Sequence, residues 1–95
     1  MLYYSTNNAK NRVSLKKAVL KGLADDKGLF MPATLPSLPK NFIHNIRNYS
    51  FQEISFEVAK AFFADDIPYK NLQTIISDAI NFETPLVQLD DETFV

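Results

Sequence analysis

"GLADDKGLFMP", residues 22–32, reads as the end of a helix, an acidic turn and the start of a strand. Gly22 stands where a helix stops, and Asp25 and Asp26 are turn formers. "LFMP" (29–32) is an apolar strand closed by Pro32. Upstream, Ser14 can cap a helix over 15–23. Leu15, Ala18, Val19 and Leu23 share one side of it at helical spacing, and Lys16, Lys17 and Lys21 take the other. Gly22 falls on the apolar side, as a close-packing point or as part of the stop signal. Further upstream, "LYYS" (2–5) reads as a strand and "TNNAKN" (6–11) as a polar loop.

Downstream, "PATLPSLPK" (32–40) holds three prolines and forms no regular element. A short helix is predicted over 42–48, with Phe42, Ile43 and Ile46 inward. Ser50 and Glu53 form an S-x-x-E capping box that opens a helix over 51–64. Pro68 suits the first turn of another over 68–81, with Leu72, Ile75, Ile76, Ala79 and Ile80 inward. "PLVQL" and "TFV" flank "DDE" as two arms of a hairpin. The second arm stops at Val95 inside an apolar run, so the sequence is expected to be a piece of a longer chain. The fold class predicted is α+β: a small, mostly helical domain with a short antiparallel sheet, strands near 2–5 and 29–32, and a C-terminal hairpin near 86–95.

Ninety-five residues, 46% hydrophobic and 22% charged, make one small globular domain. A net charge of −1 lacks the basic excess that drives phosphate neutralisation, so no nucleic-acid partner is expected, a helix-turn-helix arrangement of the helical part included. No apolar run approaches ~18 residues, so no membrane partner is expected. The opening "MLYYSTNNAKNR" lacks the basic-then-apolar order of a secretory signal, and a cytoplasmic location is expected. The absence of cysteine excludes disulfides and thiolate metal sites within these residues.

Chemistry-bearing residues are sparse. His44, the single histidine, has no second ligand near it in sequence and reads as a surface residue, so no metal site is expected. The pairs Asp25–Asp26, Asp65–Asp66 and Asp90–Asp91 fall in predicted turns, where Asp bonds to local backbone; acid–base work is the weaker reading. Lys10, Arg12, Lys16, Lys17, Lys21 and Lys27 make the first third basic, either as a solvated face or as an attractor for an anionic substrate. "STNN" (5–8) follows a strand and offers hydroxyls and amides, as a plain turn or as a loop for phosphate or carboxylate. On the helix 51–64, Phe56 and Phe63 form a second apolar stripe. They are either buried within the domain or in contact with the rest of a larger protein.

"YYSTNN" (3–8) and "VSLKKAVLKGLADDKGLFMP" (13–32) resemble the N-terminal domain of the threonine synthase family. That pattern is Tyr-x-Ser-Thr, then Val/Ile-Ser-Phe with an Ala-Val/Leu-x-x-Gly-Leu-Ala helix, then Asp-Gly-Gly-Leu-Tyr/Phe-x-Pro. "YSFQEISFEVAKAFFADDIP" (49–68) and "LQTIISDAINFETPLVQLDDETFV" (72–95) continue the resemblance more loosely to the end of the sequence. Leu15 stands for the usual Phe and Lys17 for a common Glu. Lys27 stands for the first Gly of Asp-Gly-Gly-Leu, so a positive φ is expected at Gly28 rather than at 27.

The resemblance implies residues 1–95 as the N-terminal domain of a pyridoxal-phosphate enzyme of the tryptophan-synthase-β-like fold type. Such an enzyme converts O-phosphohomoserine and water to threonine and phosphate. The cofactor lysine lies in a Gly-Pro-Thr-x-x-Phe-Lys-Asp motif beyond the hairpin, and Lys10, 16, 17, 21, 27, 40, 60 and 70 all stand in other contexts. No catalytic or cofactor-binding residue is therefore expected in these residues, which should be inactive alone and bind no cofactor. The implied partner is the remainder of the same polypeptide, with its cofactor domains. Ser5, Thr6 and Asn7 are the candidates for the edge of the substrate pocket. The alternative is a stand-alone interaction module that binds a protein through exposed aromatics.

Overall fold

A computed structural model describes residues 1–95. Three strands, β1 (Leu2–Ser5), β2 (Asn8–Ser14) and β3 (Phe30–Pro32), form an antiparallel sheet in the order β2-β1-β3. Helix α1 (Leu15–Lys21) leaves β2 directly. Beyond the proline-rich segment come α2 (Lys40–His44), a 3₁₀ turn (Ile46–Asn48), α3 (Phe51–Phe63) and α4 (Tyr69–Ala79).

The helix signals act as read. The Ser14 side chain caps α1 by accepting from the Lys17 amide at 3.3 Å. At α3 the Ser50 hydroxyl accepts from the Glu53 amide at 3.1 Å, and the Glu53 carboxylate accepts from the Ser50 amide at 3.0 Å. These contacts hold Glu53 below the usual carboxylate range, the Ser50 backbone bond foremost. Gly22 ends α1 with φ 75° and donates its amide to the Ala18 carbonyl at 2.9 Å, so it is a stop signal.

Strand β2 departs from the polar loop expected at 6–11. It pairs Leu2 with Ser14, Tyr3 with Val13, Tyr4 with Arg12 and Ser5 with Asn8, with an irregularity between Tyr4 and Ser5. Its residues carry little intrinsic strand preference, and pairing with β1 across the Thr6–Asn7 turn overrides it. Only Val13 on this strand is buried, which is why its sequence looks like a loop.

Tyr3, Val13, Leu15 and Ala18 form the core, packed by Met1, Phe30, Phe63 and Ile67. The helical part is built on buried Phe42, Ala59 and Leu72. The Phe42 and Tyr49 rings lie 5.1 Å apart, and Phe56 meets Tyr69 edge-on at 5.1 Å. Phe56 and Phe63 are thus half-buried and packed within the domain. The Gln52 side-chain amide ties α3 to the end of α4 through the carbonyls of Ser77 and Ile80.

Several expected inward residues stay outside. Val19 and Leu23 are exposed, as are Ile43, Ile46, Ile75 and Ala79. The C-terminal hairpin is present but narrow. Val87 and Val95 exchange both backbone bonds at 2.7 and 2.9 Å, Gln88 pairs with Phe94, and the Asp90 carboxylate closes the turn onto the amides of Glu92 and Thr93. Leu86, Val87, Leu89, Phe94 and Val95 remain exposed there. The radius of gyration is 16.4 Å, against about 12 Å for a compact domain of this length.

The positive φ expected at Gly28 lies instead at Lys27 (φ 67°). Gly28 serves a different need. A Cβ there would collide with the Ser5 hydroxyl and lie 2.9 Å from the Asn7 amide. Lys27→Gly should raise stability by about 0.5–1 kcal/mol, since it removes left-handed strain at a modest entropic cost. Gly28→Ala should lower it by about 1–3 kcal/mol by overpacking. Urea midpoints of the two variants check both signs.

Candidate functional site

The turn that joins β1 to β2 sits against the loop 24–29, and the two are held together by one carboxylate. Ser5 is fully buried at the end of β1, and its hydroxyl donates to Asp26 Oδ1 at 2.6 Å. The same oxygen accepts the Gly28 amide at 3.0 Å. The Asp26 carbonyl accepts the Asn7 side-chain amide at 2.8 Å, and the Asn7 backbone amide donates to Ser5 Oγ at 3.2 Å. Thr6 completes the join. Its amide donates to the Leu29 carbonyl, and its hydroxyl accepts the Leu29 amide, both at 2.9 Å. The loop closes on itself through Ala24 N to Gly28 O (3.1 Å) and Lys27 N to Ala24 O (2.9 Å).

The three sequence candidates therefore come together, but with different exposures. Ser5 is enclosed and its proton is committed to Asp26. Thr6 and Asn7 are exposed. The Thr6 hydroxyl uses a lone pair on Leu29 and keeps its own proton free to donate. The Asn7 side chain uses its NH₂ on Asp26 and keeps its carbonyl oxygen free. The turn thus offers one donor and one acceptor to solvent from a fixed backbone.

Asp26 is the residue that sequence reading missed as a site organiser. It stands 21 residues from Ser5, and an Asp in a turn gives no sign of so distant a partner. The Ser5 hydroxyl, then the Gly28 amide, hold its carboxyl below the ordinary range. Asp25 is also lowered, by its bond and charge contact with Lys21 four residues earlier. The remaining pairs are turn and terminus devices: Asp66 takes the Met1 amine at 3.2 Å, and Asp90 closes the hairpin. His44 is exposed at the end of α2. No three His, Cys, Asp or Glu side chains are grouped to hold a metal.

A cleft of about 270 Å³ lies between α3 and α4, lined in part by Tyr49, Glu53, Phe56, Glu57 and Tyr69. Both of its carboxylates are already engaged: Glu53 in the helix cap, and Glu57 with Lys60 at 3.0 Å. It contains no nucleophile beside a base.

Residues 2–80 match a family described as "Threonine synthase N terminus". The chain belongs to the threonine synthase N-terminal family. Threonine synthase of Schizosaccharomyces pombe is 48% identical over 56 residues, 59% of this chain and 11% of that protein. Threonine synthase of Buchnera aphidicola (subsp. Baizongia pistaciae) is 32% identical over 87 residues, 92% of this chain and 20% of that protein. The crystal structure of threonine synthase from Escherichia coli superposes with a TM-score of 0.84 at 28% identity, over 97% of this chain and 22% of that one. This threonine synthase domain thus spans about a fifth of the length of the Buchnera and Escherichia coli relatives it matches.

Ser5→Ala should cost about 1–2 kcal/mol, because it removes a buried hydroxyl bonded to a carboxylate. The Asp26 pKa is lowered on folding, so its contribution is complete above the unfolded value near ~3.9 and fades as pH falls through the lower folded one. Asp26→Asn should therefore flatten part of the acid limb of stability, which urea midpoints from about pH 5 down to pH 2 will read.

Proposed function

We propose that residues 1–95 are the N-terminal domain of a threonine synthase. On this reading the complete enzyme converts O-phosphohomoserine and water to threonine and phosphate with pyridoxal phosphate, as a cytoplasmic lyase of threonine biosynthesis. The single observation that carries the reading is the superposition on the Escherichia coli enzyme over 97% of the chain. The domain contributes shape and pocket edge, and the reaction is performed by residues outside it.

The lysines present do not fit the cofactor. Seven of them are exposed. Lys60 is half-buried, but it is paired with Glu57 and sits 5.6 Å from the centre of the Phe56 ring, without an enclosed pocket around it. Of the two glycines, Gly22 ends a helix, and the Gly28 amide is used by Asp26. No step of the reaction is routed through these residues.

Thr6 and Asn7 are the groups proposed for the pocket edge. O-phosphohomoserine presents a phosphate and a carboxylate, both acceptors, and an ammonium donor. A hydroxyl with a free proton suits the first two, and a free amide oxygen suits the third. Ser5 and Asp26 act behind them by fixing the turn. Lys10 and Lys27, on the strand and the loop that hold this turn, add positive charge that favours an anionic substrate near it.

In the complete enzyme, Thr6→Val should raise KM for O-phosphohomoserine severalfold, as the loss of one hydrogen bond worth about 1 kcal/mol requires. Unchanged steady-state kinetics would remove Thr6 from the pocket. Pyridoxal phosphate mixed with residues 1–95 alone should show the spectrum of the free cofactor, and a stoichiometric new band would place the chemistry inside the domain. A reading frame that reaches a Phe-Lys-Asp motif beyond Val95 supports the enzyme, whereas a stop codon supports an independent binding module.

A further inference from the structure

Helix α1 carries an apolar face that the domain leaves bare. Five residues from 15 to 23 are apolar at helical spacing, and the sheet covers only Leu15 and Ala18. Val19, Leu20 and Leu23 are 69%, 76% and 56% exposed. Val19 and Leu20 lie about 100° apart around the helix, and Leu23 follows directly after the Gly22 stop, so the exposed apolar residues gather at the C-terminal end of α1. Uncovered apolar strips on a helix mark contact surfaces. Lys16 and Lys17 border the strip, and neither forms an ion pair.

We propose that this strip is the surface on which the remainder of the same polypeptide packs, through an apolar patch edged by carboxylates. The inference rests on the threonine synthase reading and adds the surface to it. The occupant follows from proportion: the matched relatives carry about four-fifths of their length outside the part this chain spans. An expanded radius of gyration, 16.4 Å, points the same way. The domain spreads its apolar residues over a layer rather than closing them into a ball, as a segment that covers another body does. Carboxylates opposite Lys16 and Lys17 would be paired at the rim and fix the register of the contact.

The test is thiol accessibility in the complete polypeptide. Val19→Cys preserves size closely, and Leu23→Cys provides a second position should the first disturb folding. Maleimide labelling is read by mass spectrometry on the peptide that contains the new cysteine, in native buffer and in denaturant. A covered strip gives labelling at least about tenfold slower in the native protein, because access limits the thiolate. Native labelling at the denatured rate at both positions overturns the proposal. So does protection that disappears on dilution, which would assign the strip to a second copy. The same preparations are assayed for phosphate release from O-phosphohomoserine. Slow labelling with no release leaves this surface standing and removes the enzymatic reading; release with fast labelling removes this surface alone.

Discussion

One carboxylate determines where the first third of the chain goes. Asp26 takes a hydroxyl from the end of β1 and an amide from its own loop on a single oxygen. That geometry requires the Gly28 backbone to approach Ser5 more closely than any side chain permits. Once the loop is seated, Leu29 is bonded to Thr6 and β3 runs antiparallel to β1 with Phe30 beside Ser5. The third strand, the packing of half-buried Phe30 against the Tyr3–Val13–Leu15–Ala18 cluster, and the exposure of Thr6 and Asn7 all follow from this join. A polar cluster thus does the work of register selection that apolar alternation does in longer strands.

Lys27 shows how much strain such a join tolerates. Its left-handed backbone costs on the order of 1 kcal/mol, and two hydrogen bonds, donated by the Lys27 amide to the Ala24 carbonyl and by the Gly28 amide to Asp26, hold it there. The neighbouring glycine is needed for space and not for backbone freedom. Two adjacent positions in one turn therefore place different demands on the residue that fills them.

Features with a local cause were legible in the sequence. Ser14, Ser50 with Glu53, and Gly22 act through atoms a few residues away, so their caps and stop could be placed directly. Strand β2 was not legible, because its pairing depends on β1 and only Val13 carries an apolar signature. The Ser5–Thr6–Asn7 turn was visible as a polar cluster after a strand, but its organiser, Asp26, was hidden by distance along the chain. Val19 and Leu23 carry the spacing of inward residues and are nevertheless exposed. Helical spacing groups apolar residues on a face, and whether that face is buried depends on contacts far along the chain.

The sheet and the helical pair meet through a small contact. Phe63, the last residue of α3, and Ile67 in the turn that follows it reach the Tyr3–Val13–Leu15–Ala18 cluster. Near that contact Tyr3 buries a hydroxyl without a hydrogen-bond partner, and an unsatisfied group of that kind weakens packing around it. The Met1 amine adds an ion pair to Asp66 at 3.2 Å across the same junction, so one aromatic ring, one aliphatic side chain and one terminal charge join the sheet to the helices. Phe63 belongs to both parts at once, and a mutation there would be felt in the sheet's core and at the end of α3 alike.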